Sequence, residues 1–406
     1  LAVSAELAAA APSQIQTRNG HRRSPSGSGS VQVKVKPRSA TTYKHPALSA
    51  VKAINKYNRT MPAHLEAIRQ AYRGTSSKRA ATSGSVATTP ETDDTEYLTK
   101  VQIGTPAQTL PLDFDTGSSD LWVFSSLTPA ADVEGQTVYD VTTSSTAKLM
   151  SGATWSISYG DGSSSSGKVY TDTVTIGNLT YASQAVEAAT TVSDEFTSDA
   201  DSSGLVGLAM SSLNTVSPTA QKTFFDNIKG SLSNELFVAN LNHDVAGTYT
   251  FGAMDFTETV YYAALDTTSE LAGYWTFSAA GYARTVTLTD TTITGIADTG
   301  TTLLMLPDEI IAAYYAQVDG AEDSTQEGGY IFPCDSTLPD FSFGVGDGVI
   351  TVPGSYINWA AIDTSTCYGG IQSDASIGFS IFGDIALKAA YVVFDSGNSQ
   401  VGWAQK

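Results

Sequence analysis

From Glu96 onward, apolar and polar residues alternate over short runs separated by Gly- and Ser-rich turns. "YLTKVQIG", "TWSISYG" and "KVYTDTVTIG" are the clearest, and each fits a strand with one buried face. Helical periodicity is scarce there, confined to "TFFDNIKG" and "PDEIIAAYYAQV". Upstream, "HPALSAVKAINKY" spaces Leu48, Val51, Ile54 and Tyr57 along one face of a short amphipathic helix, and "PAHLEAIRQAYR" repeats the signal from Pro62. Within the Arg-, Lys-, Ser- and Gly-rich residues 18–44, only "VQVKVK" reads as a strand. "GTSSKRAATSGSVATTP" is small, polar and unperiodic, the composition of an exposed linker, and it holds the readily cut pair Lys78-Arg79. The pattern predicts an all-β body of several short strands preceded by a partly helical segment.

Charge divides the chain at the same place. Residues 1–79 hold 14 of the 22 Lys and Arg and only 2 of the 41 Asp and Glu. That segment is therefore +12 and the remainder −31, together the chain's −19. A basic arm can mark a nucleic-acid binder, but an acidic body of this size repels phosphate. The asymmetry fits better a basic pro-segment held against its own acidic partner. No run of about 18 apolar residues is present to span a membrane. The start, "LAVSAELAAAAPSQ", reads as the remainder of a small-residue cleavage region left by a secretory signal. Cys334 and Cys367 are the two cysteines. They either form one disulfide, which would imply an oxidising compartment, or remain two buried thiols.

The chemistry is carried by a repeat. "LDFDTGSSDLWVF" runs an apolar stretch into Asp115 and a Thr-Gly turn, and "IADTGTTLLML" does the same at Asp298. Gly207 in "GLVGLA" follows Asp115 by 92 residues, and Gly383 in "SIFGD" follows Asp298 by 85. One Asp-Thr-Gly is weak evidence; two copies with the same frame and the same downstream element indicate a duplicated β lobe. A carboxylate in so apolar a setting is costly unless it is paired, hydrogen-bonded or protonated. Brought face to face, Asp115 and Asp298 would share a proton over an acidic range. One could then activate a water as base while the other protonates a substrate carbonyl as acid. Gly117 and Gly300 would allow the tight turn, and Ser118 and Thr301 would donate to the carboxylates. Thr116 and Thr299 would reach across to lock the two loops.

With "DTGSSDLWVF", "WSISYGDGSSSSG", "GIADTGTTLL" and "SIFGDIALKAAYVVFD" in view, residues 90–406 resemble a pepsin-type aspartic endopeptidase, nearest the secreted fungal group. The resemblance implies a bilobal fold with pseudo-twofold related lobes, residues 80–257 and 258–406, and a cleft between them. It implies that "SYGDG", 44 residues after Asp115, tips a hairpin flap. There Tyr159 would bond Trp122, Gly160 and Asp161 would bind substrate backbone, and Asp161 would let Lys sit beside the cut. Lys56-Tyr57 would plug the cleft of a zymogen, with processing near Lys78-Arg79. Cys334 and Cys367 would form the single disulfide of the C-terminal lobe.

The implied activity is a monomeric, secreted acid endopeptidase cutting beside bulky apolar residues; an acidic vacuole-like compartment is the alternative location. Its partners are peptide substrates and its own pro-segment, with no metal, cofactor, nucleic acid or membrane. Asn178 in "GNLT" and Asn58 in "NRT" are glycosylation sequons. His243, the one histidine after residue 79, reads as a solvated loop residue, and its isolation opposes a Ser-His-Asp hydrolase. Ser203 stands where close relatives tend to carry Asp. The rival reading is a pepsin-fold binding protein without catalysis, which would be expected to change a catalytic Asp, a neighbouring Gly or the flap Tyr.

Overall fold

The computed structural model describes residues 45–57, 59–71, 87–159, 163–283 and 291–406. "VQVKVK", Asn58 and Lys78-Arg79 lie outside the described residues. Two helices come first, α1 (Ala47–Lys56) and α2 (Ala63–Ala71), as the periodicity predicts. Among the described residues the body that follows is almost wholly β, with short helices only, and no helix is long and apolar enough to cross a membrane.

The strands of the first half are β1 (Ala87–Pro90), β2 (Tyr97–Ile103), β3 (Gln108–Asp115), β4 (Leu121–Val123), β5 (Lys148–Ser158), β6 (Ser164–Ile176), β7 (Leu179–Val192) and β8 (Gly204–Gly207). In β2 the alternation does what the sequence says: Tyr97, Val101 and Ile103 point inward and are fully buried. β1 is a departure. It belongs to the stretch that reads as linker, yet it pairs with β2 on one side and Gly247–Phe251 on the other. Its strand state comes from two waiting sheet edges rather than from its own pattern.

The duplication appears as one strand diagram drawn twice. β3 runs parallel to β8, β8 antiparallel to β4, and β4 parallel to β7. In the second half Ile293–Ala297 runs parallel to Ser380–Phe382, which is antiparallel to Leu304–Leu306, itself parallel to Ile371–Ser373. Asp115 is in register with Gly207. Asp298 donates its amide to Phe382, one residue before Gly383. A Cβ on Gly207 would collide with the backbone of Ser119 and Asp120, and one on Gly383 with the carbonyls of Thr301 and Leu303. The hydrophobic-hydrophobic-Gly element therefore exists to let each aspartate loop lie directly on the neighbouring strand.

The sheets are not divided evenly between the halves. A 13-stranded sheet holds all of β1–β8 and also Leu236–Asn240, Gly247–Phe251, Tyr261–Ala264, Ala390–Asp395 and Gln400–Gln405. Sheets of five, three and four strands lie within residues 276–382. One large apolar core runs through both halves, from Val101 and Phe114 to Phe382 and Trp403. Cys334 and Cys367 are bonded, with Cα atoms 4.9 Å apart, closing a loop of 33 residues. A loop of that length gives about 3–4 kcal/mol in the chain-entropy picture.

Candidate active site

Asp115 ends β3 and Asp298 follows Ile293–Ala297, and both side chains are fully buried. Each loop turns back so that its glycine amide donates to its own aspartate: Gly117 N to Asp115 Oδ1 at 2.8 Å and Gly300 N to Asp298 Oδ1 at 3.1 Å. Ser118 Oγ donates to Asp115 Oδ2 at 2.6 Å, and Thr301 Oγ1 makes the matching bond to Asp298 Oδ2. The threonines cross over. Thr116 N donates to Thr299 Oγ1 at 3.1 Å and Thr299 N to Thr116 Oγ1 at 3.0 Å. Their hydroxyls then donate to Ala297 O and Phe114 O of the opposite loop. Every member of this network is satisfied, as a buried polar network must be if it is to stay fixed. A Cβ on Gly117 would sit 2.6 Å from Asp298 Oδ1, and Gly300 faces Asp115 in the same way. No other residue leaves room for two carboxylates at this separation.

The groups that occupy the space between the aspartates come from α1. Lys56 Nζ is 2.7 Å from Asp115 Oδ1, 2.7 Å from Asp298 Oδ1 and 2.8 Å from Asp298 Oδ2. Tyr57 OH donates to Asp298 Oδ2 at 2.5 Å, and its ring meets Phe379 and Tyr274 edge-on at 5.0 and 5.8 Å. α1 is held by its apolar face: Ala50, Val51 and Ile54 pack with Ile296, Leu303 and Met305 around the Asp298 loop. Burying Val51 and Ile54 is worth about 1.5–3 kcal/mol each.

This placement breaks the electrostatic symmetry. For Asp298, burial raises the pKa, but the Lys56 ammonium and the bonds from Lys56, Thr301 and Tyr57 outweigh it and leave it below the usual value. For Asp115, burial and the Asp298 charge prevail over Lys56 and hold it above. Burial lowers the Lys56 pKa, and the two aspartates more than reverse that.

β5 and β6 form a long hairpin closed by Tyr159 N donating to Ser163 O at 2.8 Å. Gly160 and Asp161, at its tip, lie outside the described residues. Trp122 Nε1 donates to Tyr159 OH at 2.9 Å. Phe196, which the sequence does not single out, packs edge-on against both rings at 4.7 and 5.4 Å. Asn178 is exposed in the turn between β6 and β7. Ser203 is fully buried, and its Oγ accepts from Thr137 N at 2.9 Å.

Three acidic groups escape a sequence reading. Asp94 is fully buried and 2.7 Å from both Lys388 Nζ and His243 Nδ1, so His243 is more than a solvated loop residue. Asp120 and Glu187 are buried together and hydrogen-bonded to each other; Thr215 and Asn214 serve Asp120 Oδ1 and Glu187 Oε1. Their other oxygens have no other donor among the described residues. A proton held on Glu187, whose pKa burial and the Asp120 charge push well above the ordinary range, accounts for both. The third group is Glu91, Glu96 and Asp199, with acceptor atoms within 4.8 Å of one another. Nothing local announces these contacts, since they join residues from distant parts of the chain.

Residues 96–406 match the family model described as "Eukaryotic aspartyl protease". The chain is 55% identical over 367 residues to endothiapepsin of Cryphonectria parasitica, covering 88% of this chain and 86% of that protein. It is 50% identical over 365 residues to aspergillopepsin-1 of Aspergillus oryzae, with 89% of each covered. Among solved structures, the aspartic proteinase from Irpex lacteus superposes with a TM-score of 0.63 at 27% identity, covering 77% of this chain and 94% of that one.

Proposed function

The chain belongs to the eukaryotic aspartyl protease family, and from that premise we propose that it is a secreted acid endopeptidase made as an inactive zymogen. Asp115 and Asp298 would hold a water once α1 has left. One carboxylate takes a proton as the water oxygen attacks the scissile carbonyl carbon, and the other carboxyl gives its proton to the carbonyl oxygen. Collapse of the tetrahedral diol breaks the C–N bond: the departing nitrogen takes up the proton first removed from water, and a diol hydroxyl returns its proton to the other carboxylate as the new carbonyl forms. Protein side chains supply both proton positions, and no covalent intermediate forms. Tyr274 and Phe379, the rings against which Tyr57 packs, support cutting beside bulky apolar residues once Tyr57 has left. Asp161 is proposed to accept Lys next to the cut, and Asn178 to carry a glycan.

The observation that carries this reading is the Lys56 ammonium bonded to both aspartates, which excludes water and substrate from the same place. Acid releases it. A carboxylate held below its ordinary pKa by a partner stabilises that contact above the ordinary value, and the contribution is lost as pH falls through the lowered one. Asp298 is such a group. Acidifying the full chain to about pH 3, below the ordinary aspartate value of about 3.9, is expected to remove roughly residues 1–79 and to yield cleavage of a denatured protein. A hydroxyl-bearing peptide analogue of the diol should block that cleavage. A body trimmed at Lys78-Arg79 that stays inert in acid would overturn the proposal.

A further inference from the structure

The turn between β6 and β7 carries features that proteolysis does not use. Ile176 pairs with Leu179, so Gly177 and Asn178 are the whole loop. Gly177 has a φ of 60° and Asn178 is not among the residues of positive φ. That is the pattern of a type II′ turn, which takes glycine at its first central position. Asn178 opens the sequon Asn-Leu-Thr; Asn178 and Thr180 are exposed, and Leu179 between them is half-buried. The sequon is therefore open to solvent at the tip of a hairpin. A groove of about 410 Å³ begins at this turn and reaches residues 231–233 and 249–253. Leu179, Leu232 and Phe251 form its apolar side, each half-buried and packed against the main core. Asn178, Ser231 and Thr250 supply polar atoms. No residue lining the groove is charged, although residues 80–406 sum to −31.

We propose that the first N-acetylglucosamine of a glycan on Asn178 lies in this groove, so that the protein carries a built-in seat for its own sugar. The inference rests on the secreted reading above, because the sugar is added along the secretory route. There Asn178 Nδ2 bonds to C1 of N-acetylglucosamine. The C1–O bond to a lipid diphosphate breaks with its electron pair, and the amide proton goes to the released diphosphate. The chemistry of the groove selects the occupant. A pyranose has a face of C–H bonds and a rim of hydroxyls, and the acetamido group adds a methyl. The C–H face suits the Phe251 ring, the methyl suits Leu232, and the hydroxyls suit Ser231 and Thr250. A neutral sugar loses no ion hydration on entering an uncharged groove, whereas a charged side chain would. The volume falls within the range of about 300–1,000 Å³ usual for small-ligand sites. The tether does the rest: a sugar bonded to the wall meets the groove at a high effective concentration and needs little intrinsic affinity.

The full chain would be secreted from a fungal host and processed in acid, which leaves Asn178 in the one remaining sequon. An endoglycosidase then trims the glycan to a single N-acetylglucosamine. The same chain made in a bacterial periplasm, oxidising but adding no sugar, is the sugar-free form. The Asn178 peptide of the fungal product is expected to weigh one N-acetylglucosamine more. At about pH 5 that sugar should raise Tm by about 2 °C and slow amide exchange across residues 231–233 and 250–252. With Leu232→Ser, or with Phe251→Leu, the gain should fall close to zero. Comparing the two forms within each background cancels what the groove substitution itself costs, and two substitutions guard against one failing to fold. An Asn178 peptide without sugar, no gain in Tm, or a gain unchanged in both backgrounds overturns the proposal. So does dimerisation of the sugar-free form, which would assign the groove to a second copy. A processed chain that carries the seated sugar and cuts no denatured protein would instead overturn the endopeptidase reading.

Discussion

Around Asp115 the neighbouring positions are carboxylic, and around Asp298 they are hydrocarbon. Asp113, two residues before the first aspartate, corresponds to Ile296, and Asp120, five residues after it, corresponds to Leu303. The glycine-amide, hydroxyl and threonine-crossing bonds of the two loops match one for one, so the contrast lies in what surrounds them. The apolar copy receives α1: Ile296 and Leu303 belong to the same buried apolar cluster as Ala50, Val51 and Ile54. The acidic copy receives the charges instead, and burial pushes Asp113 up to about 7 even with Lys52 nearby. One copy of the duplicated unit has become a seat for the hydrocarbon of α1 and the other a store of buried acid. A symmetric backbone can thus carry two unlike aspartates.

The strongest way to break that contrast is at its centre. Asp115→Asn and Asp298→Asn, each trimmed at Lys78-Arg79, should both lose about a thousandfold or more in kcat, the upper part of the range for a general acid or base. Residual activity in only one of the two would show that the loops do not act as a pair. Lys56→Met comes next. Removing one partner of a buried ion pair costs about 3–5 kcal/mol, so the untrimmed chain should show activity near pH 6 and a lower melting temperature there. An untrimmed variant that stays latent and equally stable would count against the role given to Lys56.

Glu187→Gln tests the acidic copy alone. A carboxyl whose pKa is raised in the folded state keeps its proton longest there. Stability therefore falls as pH rises from the unfolded value, about 4.3, through the folded one, by up to about 1.4 kcal/mol per pH unit. Melting temperatures between pH 4 and 7 should drop less steeply in the variant; parallel curves would refute the shared proton. The smallest effect is expected from Trp122→Met, which copies the residue at the matching position, Met305. Loss of the 2.9 Å bond to Tyr159 should lower kcat/KM about fivefold, the equivalent of about 1 kcal/mol. An unchanged value would separate that bond from substrate turnover.

What could be read in the sequence was what local geometry forces into a pattern. Two Asp-Thr-Gly turns need their glycines because each faces the opposite carboxylate. Gly207 and Gly383 are legible because a strand passes where their side chains would be. α1 is legible through Leu48, Val51 and Ile54, since one apolar face repeats at a helical interval. β1 was not, because Ala87–Pro90 takes its strand state from neighbours far along the chain. Nor were Lys52–Glu96, Asp120–Glu187 or Asp94–Lys388. Each joins residues 44 to 294 positions apart, and an isolated acid in a strand looks the same whether it ends in water or in a core.

The strand Leu236–Asn240 has Gly247–Phe251 on one side and Ala390–Asp395 on the other. Its second neighbour is made some 150 residues after it. At about 5–20 residues per second the nascent chain waits roughly eight to thirty seconds with that strand edge bare. A bare apolar edge invites pairing with another chain. The length of the message between the two strands therefore sets how long each newborn molecule is open to aggregation, and a stop codon just before Ala390 would make that exposure permanent.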